Sequence, residues 1–509
     1  MRGILIIADC SLATQKKAVF LRYYLILYNI AESAYMPYFL MIFAILLPLS
    51  AAITMPAAYR LAPQFLKRHY LPAVNLCCFI CFAFLAAAEC SAAKPHEISM
   101  SFPPGFDISF SSNTLTALFA ALFSFFSFVS SLKISHGLDL SDDGGNVRFA
   151  ISFLLFSDCL YLAALSGSIL WMYVFWQISA IFLWTMTGKS QNYEDNLKAD
   201  EMLSRLSAGA SFMLAGIILA YMQYGTFYIS SLAGESLSLA KALTFIPALL
   251  MPLMLMPGMT RFSIAGKPSF SGDFMLPAGM MAFAGLCLYA KIFCACFAAP
   301  ETFHSIMEAL SFIGAAAAMA EYCREYDIKK MSVYLIMAMM FLMLPAFSAG
   351  NNIGVSGGFM SLLSFLPIMI AIAVISGIRE KNTLGRAGYA ALAISLFSLA
   401  AMPPSGMFFS RLMILCGLAQ NGSPAVFILY VLLYAASLFM AIHFLRNFNM
   451  ARTSADGGQP QNHRQENKNA FAERMSFALA VLAVIMGIAV YYPSSYMVLS
   501  TAIHGVNLQ

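Results

Sequence analysis

Apolar residues in this chain come in long runs separated by short polar breaks, without the alternation of strands or the single apolar stripe of a surface helix. The runs begin near Met36, Tyr70, Asn113, Phe149, Ser168, Leu206, Leu239, Phe274, Ser305, Ser332, Gly354, Tyr389, Ala425 and Met475. A hydrocarbon core about 30 Å thick is crossed by about 20 apolar helical residues. The pattern therefore predicts an all-α polytopic membrane protein with about 14 transmembrane helices. Pro247, Pro252 and Pro257 share one run, Pro367 lies in another, and Pro403 and Pro404 precede Ser405 and Gly406 in a third. Because proline removes a backbone donor, broken helices are expected near Pro252/Pro257 and near Pro403/Pro404.

The pattern divides the chain into an N-terminal extension over 1–35, N-terminal helices over 36–148, a central core over 149–420 and C-terminal helices over 421–509. In the extension, Arg2, Lys16, Lys17 and Arg22 flank an apolar stretch too short to span, Val19 to Ile30. It reads as an amphipathic segment or as an early start. The stretch from Ala93 to Ser111, with Pro95, Pro103, Pro104 and Gly105, reads as an extracytoplasmic loop or hairpin, and the polar stretch 447–474 as a flexible cytoplasmic connector.

Composition strengthens the membrane reading. Of 509 residues 61% are hydrophobic and 10% charged, against about 25% charged in an ordinary soluble domain. Cytosolic enzymes, nucleic-acid binders and secreted disulfide scaffolds are poor fits. Of the 29 Lys and Arg, 21 fall in one set of alternate loops and 4 in the other. The crowded side is expected to be cytoplasmic, which places both ends of the span core outside. The 11 Cys, like the 34 Met, read as adaptable apolar filler, since no partner stands at metal-ligand spacing. No phosphate loop, dinucleotide fingerprint or iron–sulfur cysteine cluster is present, so neither a cofactor nor a metal is expected on this chain.

Ionisable groups at bilayer depth are the candidate chemistry. Asp158 falls in the middle of its span, as a cation or proton site or as a structural hydrogen-bonding group. Glu308 and His443 lie nearer helix ends, and Lys241 and Lys291 are expected to snorkel to the surface. Arg411 follows the Pro403–Pro404 break, a combination suited to an ion path.

The order of these landmarks resembles the antiporter-like membrane subunits of respiratory complex I, of hydrogenase-4 and formate hydrogenlyase-type membrane hydrogenases, and of Mrp-type cation/proton antiporters. Three stretches carry it: Val174 to Ser179 around Trp176; Asp327 to Tyr334 with Lys329 and Lys330; and Ala401 to Arg411 with Pro403, Pro404 and Gly406. A helix ending in Tyr224–Gly225–Thr226 is also family-like, and the likeness runs from about Phe149 to Leu418. It implies a translocation-type core, partners among the other membrane subunits of a complex and lipid, protons or monovalent cations as cargo, and a cytoplasmic (inner) membrane location. It further implies a relay of buried Glu, Lys and His, most of which is replaced here. The glutamate position is Gln177, and the next positions fall at Pro252, Pro277 and Met369. The terminal lysine is Arg411, which does not release a proton. Asp158, Gln177, Lys291 and Arg411 are the ion-path candidates, and no catalytic residue is expected. Reduced or lost pumping is one implication; an active antiporter using Asp158 is the other. A stand-alone transporter for an organic solute is a third reading of the same broken-helix scaffold.

Overall fold

The computed structural model describes residues 36–61, 64–90, 95–100, 107–137, 143–187, 193–259, 275–348, 350–379, 384–420, 424–453 and 463–489. The expected extension over 1–35 lies outside the described residues. The helices are α1 (Met36–Leu61), α2 (Gln64–Glu89), α3 (Thr114–Gly137), α4 (Asp143–Leu165), α5 (Ile169–Thr187), α6 (Tyr193–Tyr224) and the single turn α7 (Ile229–Leu232). There follow α8 (Leu239–Met259), α9 (Met275–Ala290), α10 (Glu301–Arg324), α11 (Ile328–Phe341), α12 (Leu344–Ser348), α13 (Asn352–Arg379), α14 (Arg386–Leu399), α15 (Gly406–Gln420), α16 (Pro424–Thr453) and α17 (His463–Ala489). Thirteen spans among the described residues are long and apolar enough to cross a membrane, and α14 and α15 are shorter apolar helices joined at Pro403–Pro404. This is a multi-pass membrane protein.

The span formed by α9 and the π turn that extends it lies at the centre with α13. In each, 94% of the most apolar stretch is buried by neighbouring helices, against 22% in α16 on the outside. Without water to drive association, small residues let backbones meet. A Cβ at Gly285 of α9 would stand 2.3 Å from the Leu249 carbonyl of α8, and one at Gly487 of α17 would stand 2.0 Å from the Pro404 carbonyl. Many serine hydroxyls are returned to carbonyls of the preceding turn, as Ser127 to Phe123 (2.9 Å) and Ser332 to Lys329 (2.6 Å).

Three local features differ from expectation. Helix α8 runs unbroken through Pro247, Pro252 and Pro257, because packed neighbours can support the backbone groups that proline frees. The interruptions fall elsewhere. The α9 helix widens into a π turn at Lys291–Cys296, and α11 turns at Leu342–Met343 before Pro345 in α12, where the missing proline donor stops the ladder. Finally, α16 extends to Thr453 and α17 begins at His463, so helix occupies most of the stretch expected as the connector 447–474.

One face of the bundle is stitched together by short strands. The Ala93–Ser111 region contains an antiparallel hairpin, β1 (His96–Met100) with β2 (Ile108–Ser112). Phe110 bridges Ser166, Ser168 bridges Tyr228, and β3 (Glu235–Ser236) pairs in parallel with β4 (Phe297–Ala298). The Tyr228 hydroxyl donates to Asp107 at 2.8 Å, which ties the hairpin to the loop after α6.

Candidate ion path

Arg411 is buried in the second turn of α15, with 4% exposure. Pro403 and Pro404 have no N–H, so the Leu399 and Ala400 carbonyls four residues earlier lose the donors a continuing helix would offer. Those two carbonyls are the ones rescued. Arg411 Nη2 donates to Leu399 O at 3.0 Å, while the Tyr434 hydroxyl of α16 donates to Ala400 O at 2.9 Å and Ala401 O at 3.2 Å. Arg411 Nη1 donates to Ser437 Oγ at 3.0 Å, Nη2 also reaches Met339 Sδ at 2.9 Å, and the guanidinium lies 4.5 Å over the Tyr434 ring. The cation sits against the negative end of α14 and over a π face, both of which attract positive charge. Gly406 opens α15, and a Cβ there would collide with Ser364 Oγ at 2.2 Å.

Lys291 does not snorkel. It begins the π turn at 1% exposure, and its ammonium donates to Ala164 O and Ser166 O at 2.7 Å each and to Ala163 O at 3.4 Å. These carbonyls end α4, where the chain turns and the amide of Gly167 goes to Ser109 instead. Lys291 and Arg411 thus share one arrangement: each closes the carbonyl end of another helix.

Asp158 is buried in the middle of α4 at 4% exposure, and its Oδ1 has no hydrogen-bond partner among the described residues. No group of three or more His, Cys, Asp or Glu side chains among the described residues is placed to hold a metal ion.

Apart from Arg411, the positions that the resemblance matches to a relay carry no ionisable side chain. Gln177 is half-buried on α5, one residue after Trp176, whose ring packs 3.7 Å from the Cβ position of Gly285. Pro252 is buried within α8, and Pro277 lies in the first turn of α9, where its missing N–H would have no partner in the helix. Met369 of α13 and Met256 of α8 both meet α9 at Gly279, within 3.6 Å of its Cβ position.

The surrounding contacts continue this character and were not foreseen from the chain alone. Hydroxyls at the centre of the bundle rest on methionine sulfurs: Ser179 on Met281 (3.5 Å), Ser127 on Met280 (3.7 Å), and Ser376 and Ser332 on Met275 (3.8 and 4.0 Å). Thioethers accept weakly and do not exchange protons. The high methionine count was the one signal available, and it does not say which thioethers converge.

Asp327 caps α11, its carboxylate accepting the Lys329 amide at 2.9 Å, and Lys330 pairs with Glu325 at 3.3 Å. This family-like segment is a helix start with a surface ion pair beside it.

No protein-family model and no curated protein sequence matches the chain. Solved structures do. A chain of the Mrp complex from Dietzia sp. DQ12-45-1b superimposes with a TM-score of 0.74 at 15% identity, covering 92% of this chain and 97% of that one. A chain of the membrane-bound sulfane sulfur reductase, an archaeal respiratory membrane complex, gives 0.69 at 18% identity over 92% and 97%. One from respiratory complex I of Thermus thermophilus gives 0.69 at 18% over 92% and 99%. Over nearly its whole length the chain therefore has the fold of membrane subunits found in the Mrp complex, the sulfane sulfur reductase and complex I.

Proposed function

We propose that the chain is an integral subunit of a multi-subunit energy-converting complex of the cytoplasmic (inner) membrane, akin to complex I or a membrane-bound hydrogenase. Its 149–420 core keeps the antiporter-like scaffold, and direct proton pumping by that core is reduced or lost. Arg411 carries this reading. It holds the broken helix together through Leu399, Ser437 and Met339, and a guanidinium so placed does not cycle its proton. A relay needs groups that alternate charge near ambient pH, whereas Gln177, Pro252, Pro277 and Met369 have nothing to alternate.

Its partners are other membrane subunits and lipid, and peripheral subunits of the assembly hold the redox centres. The loops rich in Lys and Arg face the cytoplasm. The test is affinity purification of the full chain from native membranes, followed by proton-flux measurement after reconstitution. The expected result is a set of co-purifying membrane and redox subunits, with no cation/proton exchange by the chain alone. Purification without partners would overturn the reading.

A second reading, an active proton/cation antiporter subunit, is favoured by the Asp158 oxygen that has no partner among the described residues and by Lys291, an ammonium that unlike Arg411 is able to release a proton. It requires exchange in everted vesicles that Asp158→Asn removes.

A further inference from the structure

Where the β1–β2 hairpin meets the helix ends it covers a carboxylate. Glu89 closes α2 with its side chain 1% exposed, and its Oε1 lies 2.8 Å from Nδ1 of His96, the first residue of β1. The His96 side chain keeps 20% exposure, so it stays open to protons from solvent while its partner does not. Tyr38 of α1 packs edge-on against the His96 ring at 5.1 Å, and Ser112 stands opposite His96 in the hairpin register. At the start of α3 the Thr114 hydroxyl donates to the Glu89 carbonyl at 3.2 Å. One pair of side chains therefore joins α1, α2, α3 and the hairpin. Strand β2 carries the connection onward. Ser109 O accepts the Gly167 amide at 2.8 Å, and Phe110 bridges Ser166, whose carbonyl accepts the Lys291 ammonium at 2.7 Å.

A histidine changes charge between about pH 5 and about pH 8. While His96 carries its second proton, the buried carboxylate has its counter-charge beside it. Once the ring is neutral it can still donate, but Glu89 is left buried with no other cation paired to it among the described residues. An uncompensated charge in a low-dielectric interior is strongly unfavourable. The other groups at this place do not take over. Tyr38 offers no cation, and the Cys90 thiol is held above its ordinary pKa, first by burial and then by the Glu89 charge. Strand β2, from Ile108 to Ser112, and the first turn of α3 bring no charged side chain, and Glu97, next along β1, is exposed.

We propose that Glu89 and His96 form a pH-operated clasp: charged His96 holds the hairpin against α1, α2 and α3, and its neutralisation releases the hairpin together with the Ser166–Gly167 turn paired to it. The clasp contributes fully at the acid end of the histidine range, and its contribution is lost as the pH rises through that range. On the orientation proposed above, the hairpin faces away from the cytoplasm, so the clasp reads the pH of that compartment and passes its state to the carbonyls around Lys291. It calls for no proton transfer through the core.

Hydrogen–deuterium exchange of the purified full-length chain in detergent tests this, followed from about pH 5 to about pH 8 and corrected for the chemical exchange rate at each pH. Protection of the 96–100 and 108–112 amides is expected to fall roughly tenfold or more as the pH rises, the effect of losing one charge-assisted hydrogen bond. The amides of Gly167 and Ile169 should follow. His96→Gln keeps a donor that does not titrate and Glu89→Gln removes the anion, so protection in either should be flat over the same range. Glu97→Gln, which removes the exposed carboxylate beside His96, should leave the step in place. A wild-type profile without a step would overturn the proposal whether or not the variants fold. A step that persists in His96→Gln, or is lost in Glu97→Gln, would overturn it equally. None of these results decides the complex-subunit reading, which co-purification and flux measurements address.

Discussion

A guanidinium that satisfies two lone carbonyl-end and hydroxyl acceptors, a sulfur and a ring face is structural before it is anything else. Replacing Arg411 by Met leaves Leu399 O and Ser437 Oγ without that donor inside the bundle. We expect a loss of about 1.5–3 kcal/mol, the usual worth of a hydrogen bond from a charged group. Arg411→Lys, a point charge without the fork, should recover only part of it. Thermal unfolding in detergent checks both. The opposite substitution addresses the relay. Gln177→Glu puts a carboxylate where the resemblance expects one, without a lysine opposite it, so it should lower stability slightly and leave proton movement unchanged. A large gain in proton flux from that one change would mean that the rest of the path is intact.

Among the helices, close approach and broken ends are where sequence and structure agree unevenly. Gly285 faces the Leu249 carbonyl, and backbone cannot swing aside as a side chain can. Gly285→Ala should therefore push α8 from α9 and cost about 1–3 kcal/mol, the range for overpacking a tight core, read as a lowered melting temperature. On the stitched face, the hydrogen bond to Asp107 raises the pKa of Tyr228 above its ordinary value. A group whose pKa rises on folding contributes stability that is fully present below the unfolded pKa, about 10 for tyrosine, and lost as pH climbs through the folded value. The stability advantage of the wild-type chain over Tyr228→Phe should be steady at neutral pH and vanish under strongly alkaline conditions. The spans were legible because hydrophobic runs of bilayer length need no partner to be recognised. The Pro403–Pro404 break was legible because two adjacent prolines deprive two successive carbonyls. What escaped depends on tertiary contact. Nothing local marks Lys291 as folded inward onto the end of α4, or makes α8 tolerate three prolines. Nothing in the spacing of Met275, Met280 and Met281 says that serines from four other helices converge on them.

At the scale of the molecule, a shared fold and a changed interior point to different things. The superpositions cover more than nine-tenths of the chain at identities of 15–18%, so the helix arrangement is kept while side chains are free to differ. Along the centre of this bundle they include thioethers, hydroxyls and prolines, and Lys291 and Arg411 close helix ends. On the proposal above, such an interior serves a subunit that joins or couples others, and not one that carries protons itself. The most direct measurement is proton uptake into proteoliposomes holding the purified chain alone, followed with an internal pH-sensitive dye after imposing a Na+ or K+ gradient. The account expects a signal equal to that of empty liposomes, unchanged by Asp158→Asn or Arg411→Lys. Rapid gradient-driven uptake that Asp158→Asn abolishes would contradict it.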